Sequence, residues 1–186
     1  MNKGNIIVLN GVSSSGKSTL SKELLKSLKD YFHLSIDNYD TLIEMMEERN
    51  VENGRLIPVP TEFFFHDHLR MFSNYGINLI VDQILHNRET TNDFLEKLHD
   101  YPILFVGVHC SEEELERRER KRGDRPVGQG KSQLAFVHQQ NELYDVEVNT
   151  EKESIEDCVK KILLSLETIE NCLGLKRTYA KWKSEN

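Results

Sequence analysis

The most constraining feature of the chain is an apolar run, Ile6-Ile7-Val8-Leu9, that gives way to Gly11-Val12-Ser13-Ser14-Ser15-Gly16-Lys17-Ser18 and resumes as Leu20, Leu24 and Leu28. The central eight residues satisfy GxxxxGK[ST]. The continuous run before them and the helical spacing after them place the pattern between a strand and a helix, where it has a mechanism. Its glycines let the backbone wrap a phosphate closely, and successive N–H groups and the helix N-terminus point at it. Lys17 adds a point charge toward the β and γ positions, and Ser18 is the candidate ligand for Mg²⁺. The candidate ATP-binding set is therefore Gly11, Val12, Ser13, Ser14, Ser15, Gly16, Lys17, Ser18 and Thr19. The bland alternative, a glycine-serine turn that happens to precede Lys-Ser, does not account for the strand and helix on either side.

Further apolar runs at Phe32 to Ile36, Ile77 to Val81, Ile103 to Val108 and Tyr144 to Val148 read as buried strands, each followed by polar or helical sequence. Runs apolar on both faces imply a parallel sheet covered by helices. The expected fold class is α/β: a P-loop kinase fold with a five-stranded, mainly parallel sheet, helices on both faces and an arginine-rich lid. Ser111 with Glu114, and Thr150 with Glu153, have the spacing of N-terminal capping boxes. A stripe from Ile155 through Val159, Ile162, Leu163 and Leu166 to Ile169 predicts one last helix that stops near Gly174. With 186 residues and no linker or repeat, residues 1–175 read as one domain, and 176–186 as a frayed or locally docked tail.

Charge bounds the partners. Against 24 Lys and Arg stand 31 Asp and Glu, a formal −7, so the molecule as a whole repels nucleic acid and anionic membrane, and a small anion needs a local basic island. Three cysteines without CxxC spacing argue against a disulfide framework or a zinc site. Only Lys3 precedes the first apolar run, which is too short for a signal peptide or a span, so a cytoplasmic protein is expected.

Within this frame, Asp82 at the end of Ile77-Asn78-Leu79-Ile80-Val81 is the candidate acidic partner of the magnesium site, directly or through a metal-bound water. A simple helix cap is its bland alternative. Transfer to a hydroxyl profits from a carboxylate that accepts the proton. Asp37, which follows the second strand, is the first choice for that base, with Asp40 the alternative. The run Arg117 to Arg125 carries six positive and two negative side chains, a local +4, and leads into Gly128 and Gly130. On an exposed helix such a run is usually a solvated face. Before a glycine-rich loop it reads as a lid over ATP, about residues 117–135, with Arg122 and Arg125 reaching the transferred phosphoryl group and Arg117 or Arg118 stacking on adenine. The loop from Asn149 to Lys152, with Thr150, is expected beside the adenine base of the nucleotide. In Phe63-Phe64-Phe65-His66-Asp67-His68 the histidine spacing splays the rings apart on a helix. Core packing or an aromatic wall for the acceptor fits better than a metal site. No Asn-Lys-x-Asp follows a later strand, which disfavours a switch GTPase.

These motifs resemble the chloramphenicol phosphotransferase-like family of P-loop kinases. The resemblance runs from the phosphate loop through Leu42-Ile43-Glu44 with Met46 and Ile80-Val81-Asp82. It is closest over Val106-Gly107-Val108-His109-Cys110, Arg122-Gly123-Asp124-Arg125, Val137-His138 and Tyr144-Asp145-Val146-Glu147-Val148. It implies transfer of the γ-phosphoryl group of ATP, with Mg²⁺, to a hydroxyl of a small molecule. Lys17 and Ser18 would be the phosphate and magnesium residues, an aspartate after the second strand the base, and Arg122 and Arg125 the lid arginines. The upstream strand assigns the base to Asp37 and the downstream helix assigns it to Asp40. Residues 45–75, part of the acceptor-pocket segment at about 38–76, differ from the namesake enzyme, so chloramphenicol is expected to be at best a side substrate. A nucleoside or nucleotide kinase, with basic residues added from Arg49, Arg55 and Arg70, and a non-catalytic ATP-binding module are the competing readings.

Overall fold

The computed structural model describes residues 2–47, 57–123 and 126–185. Its elements are β1 (Ile6–Asn10), α1 (Lys17–Ser27), β2 (Tyr31–Ser35), α2 (Ile36–Glu47), α3 (Thr61–Asn74), β3 (Asn78–Gln83) and α4 (Arg88–Leu98). They continue with β4 (Ile103–His109), α5 (Glu112–Arg122), α6 (Gln129–Gln133), β5 (Val146–Asn149), α7 (Ile155–Leu166) and α8 (Gly174–Glu185). The strands form one sheet in the order β2-β3-β1-β4-β5, and all four pairings are parallel.

Alternation along the central strands explains why their sequences are apolar throughout. Ile6, Val8, Leu79, Val81, Ile103 and Phe105 pack on one face with Phe65 and Leu69 of α3, Phe94 and Leu98 of α4, and Leu175 of α8. Ile7, Leu9, Ile80, Leu104 and Val106 pack on the other with Leu20 and Leu24 of α1 and Cys158 and Ile162 of α7. Each such side chain contributes about 1.5–3 kcal/mol by leaving water. The sheet is therefore fixed from both sides, and the carboxyl ends of β1, β2 and β3 form a stable rim for the site.

Several helix ends differ from the sequence expectation. Ser111 does cap α5, accepting a hydrogen bond from the Glu114 N–H at 3.3 Å, but the box is not reciprocal. The Glu114 carboxylate turns to Arg117 and Arg118, while the Ser111 N–H donates to Glu151 Oε2. Thr150 caps nothing. The helix starts four residues later, where Ser154 accepts from the Asp157 N–H at 3.1 Å and Ile155 begins the buried stripe. Gly174 does not end that helix either: α7 stops at Leu166, a short 3₁₀ turn covers Ile169–Asn171, and Gly174 opens α8. Glycine is required there by close approach, since a Cβ would lie 2.3 Å from the Leu143 carbonyl oxygen. The last residues dock as α8, with Tyr179 stacked on His99 at 3.8 Å and Trp182 against the first core cluster.

Candidate active site

The phosphate loop closes on itself through Lys17. This side chain is 7% exposed, and its Nζ donates to the carbonyls of Gly11 at 2.8 Å and Val12 at 3.0 Å and lies 3.9 Å from Asp82 Oδ1. Ser18, at the start of α1, donates to Asp82 Oδ2 at 2.7 Å. Asp82 reaches the loop because alternation in β3 turns it to the α1 face. A serine hydroxyl beside a buried carboxylate is a pair of hard oxygen donors, the chemistry that Mg²⁺ selects. Ser14 has φ +62° and lines the cleft with Gly16, Lys17, Ser18 and Thr19. Gly16, at φ +101°, favours the absence of a side chain, since a Cβ would press on Thr150 at 3.1 Å. The other loop residues face inward. Val12 packs with Cys110, Leu115 and Val137, and a Cβ on Gly11 would meet the Val108 carbonyl at 2.5 Å. Ser13 and Ser15 are buried, so these four hold the loop's shape, and their side chains do not line the cleft.

The cleft, about 370 Å³, runs from this loop to Asp37 in the first turn of α2 and to Arg117, Arg118, Lys121 and Arg122 on α5. Asp40 is not among its lining residues. Arg118 is fully engaged: Nε donates to Glu114 at 2.8 Å, Nη1 to Thr150 Oγ1 at 2.9 Å and to the Ser14 carbonyl at 3.2 Å, and Nη2 to the Thr150 carbonyl at 2.9 Å. Thr150 in turn donates to the Ser15 carbonyl at 2.6 Å. Arg118 and Thr150 therefore tie the helix and the loop after β5 to the phosphate loop. Arg117 pairs with Glu114, and these two arginines hold the Glu114 carboxyl well below its usual range, at about 2. Arg125 lies outside the described residues, as do Arg49 and Arg55. Arg70 pairs with Asp67 at 3.2 Å.

Three features of the site are absent from the sequence expectation. Glu119 sits inside the basic run yet is wholly buried, accepting the N–H groups of Gly128 and Gly130 at 2.7 Å each. Gln133 accepts the Ser13 N–H at 2.7 Å, and a Cβ on Gly130 would meet the Ser13 carbonyl at 2.8 Å. The arm from 128 to 133 is thus clamped on the phosphate loop. Leu115, four residues before Glu119 on the same helical face, was the available signal. The second feature is a polar chain beneath the loop: Asn10 Nδ2 donates to the Tyr144 hydroxyl at 2.8 Å, and that hydroxyl lies 2.7 Å from His138 Nδ1. Gly107 makes room for the Tyr144 ring, which a Cβ would meet at 2.7 Å. Burial, with His109 close by, pushes the His138 imidazole down to about 4, and burial raises the Tyr144 phenol. The family-like strings at 106–110, 137–138 and 144–148 converge here.

The third is a buried relay on α3. His66 Nδ1 lies 2.6 Å from Asp93 Oδ2, its Nε2 lies 2.5 Å from Gln83 Nε2, and Lys97 pairs with Asp93 at 2.9 Å. His68 is separate, edge-on to Tyr39 at 5.2 Å. Phe65 is core, whereas Phe64 is exposed. Among the described residues no group of three or more His, Cys, Asp or Glu side chains is arranged to hold a metal ion. No helix among them is long and apolar enough to cross a membrane.

A parallel sheet in this order, with a phosphate loop after β1 and a serine–aspartate pair across to β3, defines the P-loop kinase fold. Solved kinases share it: a gluconokinase from Sinorhizobium meliloti superposes with a TM-score of 0.60 at 19% identity, covering 99% of this chain and 98% of that one. An APS kinase from Mycobacterium tuberculosis, solved with AMPPNP and APS, gives 0.63 at 17%, covering 90% and 99%. Within that class, the chain belongs to the chloramphenicol phosphotransferase-like protein family, whose sequence profile matches residues 4–167. A Mycobacterium tuberculosis relative, named as a candidate O-phosphotransferase, is 28% identical over 185 residues, spanning 87% of this chain and 82% of the relative.

Proposed function

We propose that this chain is an ATP-dependent O-phosphotransferase that moves the γ-phosphoryl group to a hydroxyl of a small molecule. The observation that carries the reading is one cleft lined by Lys17, Ser18 and Asp82 on one side, Asp37 on another and Arg122 on a third. Lys17 exchanges its loop carbonyls for phosphoryl oxygens. Asp37 orients the acceptor hydroxyl and takes its proton, with Asp40 the alternative base. Arg122, with Arg125 from the loop beyond it, balances the charge on the phosphoryl group in flight. Ser18 and Asp82 would hold Mg²⁺, which when bound neutralises β- and γ-phosphoryl oxygens. Arg118 and Thr150 keep the nucleotide side in register.

The acceptor is a small molecule bound between Asp37 and the 38–76 segment. Chloramphenicol, the namesake acceptor, is at best a side substrate. In that segment Arg70 is paired with Asp67, and Arg49 and Arg55 lie outside the described residues. The test is purified protein with Mg·ATP and a library of hydroxyl compounds, read by ADP release. Acceptor-dependent ADP release is expected. Tight ATP binding with no transfer across the library would favour a non-catalytic ATP-binding module.

A further inference from the structure

The rim of the sheet singles out Gln83. In the order β2-β3-β1, β2 runs into Asp37 and β1 into the phosphate loop, so a molecule bridging the two sits over the carboxyl end of β3. Asp82 and Gln83 are the last residues of β3, and they turn to opposite faces. Asp82 meets Ser18. Gln83 follows Leu79 and Val81 onto the α3 and α4 face, next to Asn10 in the parallel register.

Gln83 is 0% exposed, and its amide has a fixed direction. The Asp93 carboxylate, itself paired with Lys97, accepts a hydrogen bond from His66 Nδ1–H and so fixes the proton on that nitrogen. Burial keeps the ring neutral by pushing its pKa below the usual histidine value. His66 Nε2 is then a lone pair, and only the NH₂ of Gln83 satisfies it at 2.5 Å. The carbonyl end of the amide is thereby forced the other way, and Oε1 accepts no hydrogen bond from any described residue. Buried polar atoms without partners are exceptions that ask for an occupant. Here the oxygen lies at the end of the strand between the base and the phosphate loop.

We propose that Gln83 is a specificity residue for the acceptor: its amide oxygen receives a hydrogen bond from a second donor, a hydroxyl or amide N–H, carried by the alcohol that is phosphorylated. His66 and Asp93 act through Gln83, as positioning residues. This rests on the phosphotransfer reading above and deepens it to a substrate class, an alcohol that carries a second hydroxyl or an amide N–H. An anionic group would face an oxygen lone pair there. Because the oxygen is shielded in the acceptor-free protein, the donor reaches it only as covering side chains shift on acceptor binding.

The experiment uses the full chain with Mg·ATP and pairs of alcohols that differ only in the second donor, a neighbouring hydroxyl or amide N–H against its methylated counterpart. Wild-type kcat/KM should favour the donor-bearing member by about tenfold or more, which corresponds to about 1.4 kcal/mol. Gln83→Met should level the pair to within about twofold while the Kd of a fluorescent mant-ATP probe stays unchanged, a selectivity that a purely structural role would not move. No preference in the wild type, or the same preference in Gln83→Met, would overturn the proposal. The wild-type arm stands even if the variant folds poorly. If no alcohol is phosphorylated although mant-ATP binds, the phosphotransfer reading fails. The same pairs are then titrated calorimetrically in the presence of AMPPNP, where equal affinities in the wild type would sink the Gln83 assignment separately.

Discussion

The two sides of the cleft are built differently. On the phosphate side the charged groups are tied down: Lys17 to loop carbonyls, Ser18 to Asp82, Arg118 to Thr150 and Ser14, Glu119 to two glycine amides, and Gln133 to Ser13, while the hydroxyls of Ser14 and Ser15 stay unmatched among the described residues. On the acceptor side, α2 presents Leu42, Met45 and Met46 to solvent, α3 presents Phe64, and Gln83 keeps an unmatched oxygen. A preorganised half serves the part of the reaction common to all such enzymes, stabilising phosphoryl charge. A half with exposed apolar side chains is shaped by what it binds, which is why the chemistry is easier to infer than the acceptor.

The comparison breaks first at Asp37. Asp37→Asn should lower phosphotransfer by about 10²–10⁴-fold, the usual worth of a general base, while mant-ATP affinity changes less than about twofold. Unchanged turnover would move the base to Asp40 or dismiss it. Glu119→Ala tests the clamp on the phosphate side. It strands two glycine N–H groups, each worth about 1–3 kcal/mol when buried without a partner, so urea unfolding should show a loss of about 2–5 kcal/mol together with weakened mant-ATP binding. Unaltered nucleotide affinity would mean that the arm is structural only.

A smaller effect sharpens the boundary beneath the loop. His138 has its folded pKa depressed from 6.5 to about 4 by burial and by neighbouring His109 and Lys17. The unfolded chain therefore binds this proton more readily. The stability is present above about pH 6.5 and is lost as pH falls toward 4, on the order of 2–3 kcal/mol in total. His66, also depressed, adds in the same direction, whereas the depressed carboxyl of Glu114 acts lower, from 4.5 toward about 2. His138→Asn, a residue that suits the observed φ of +68°, should flatten the slope of unfolding free energy between pH 6.5 and 4.5. An unchanged slope would remove His138 from the account.

The sheet was legible because both faces of its strands are covered, so apolar runs mark them directly. The phosphate loop was legible because its chemistry is local: Gly16, Lys17 and Ser18 act within one turn of the chain. Long-range polar pairings carry no such mark. Glu119 looks like one acid diluting a basic run, and Thr150 like a helix cap, until folding brings Gly128, Gly130 and Arg118 to them. Gln83 and Asn10 are simply the polar ends of apolar strands, and only the register sets them side by side. The acceptor chemistry depends on such pairings.

The most direct test of phosphotransfer follows ATP labelled with ¹⁸O on its γ-phosphoryl group by phosphorus NMR, in the presence of the hydroxyl library. Transfer predicts a phosphate ester carrying the labelled group, formed by the wild type and suppressed in Asp37→Asn. Label that stays in ATP, or appears only in inorganic phosphate whatever alcohol is supplied, would contradict it.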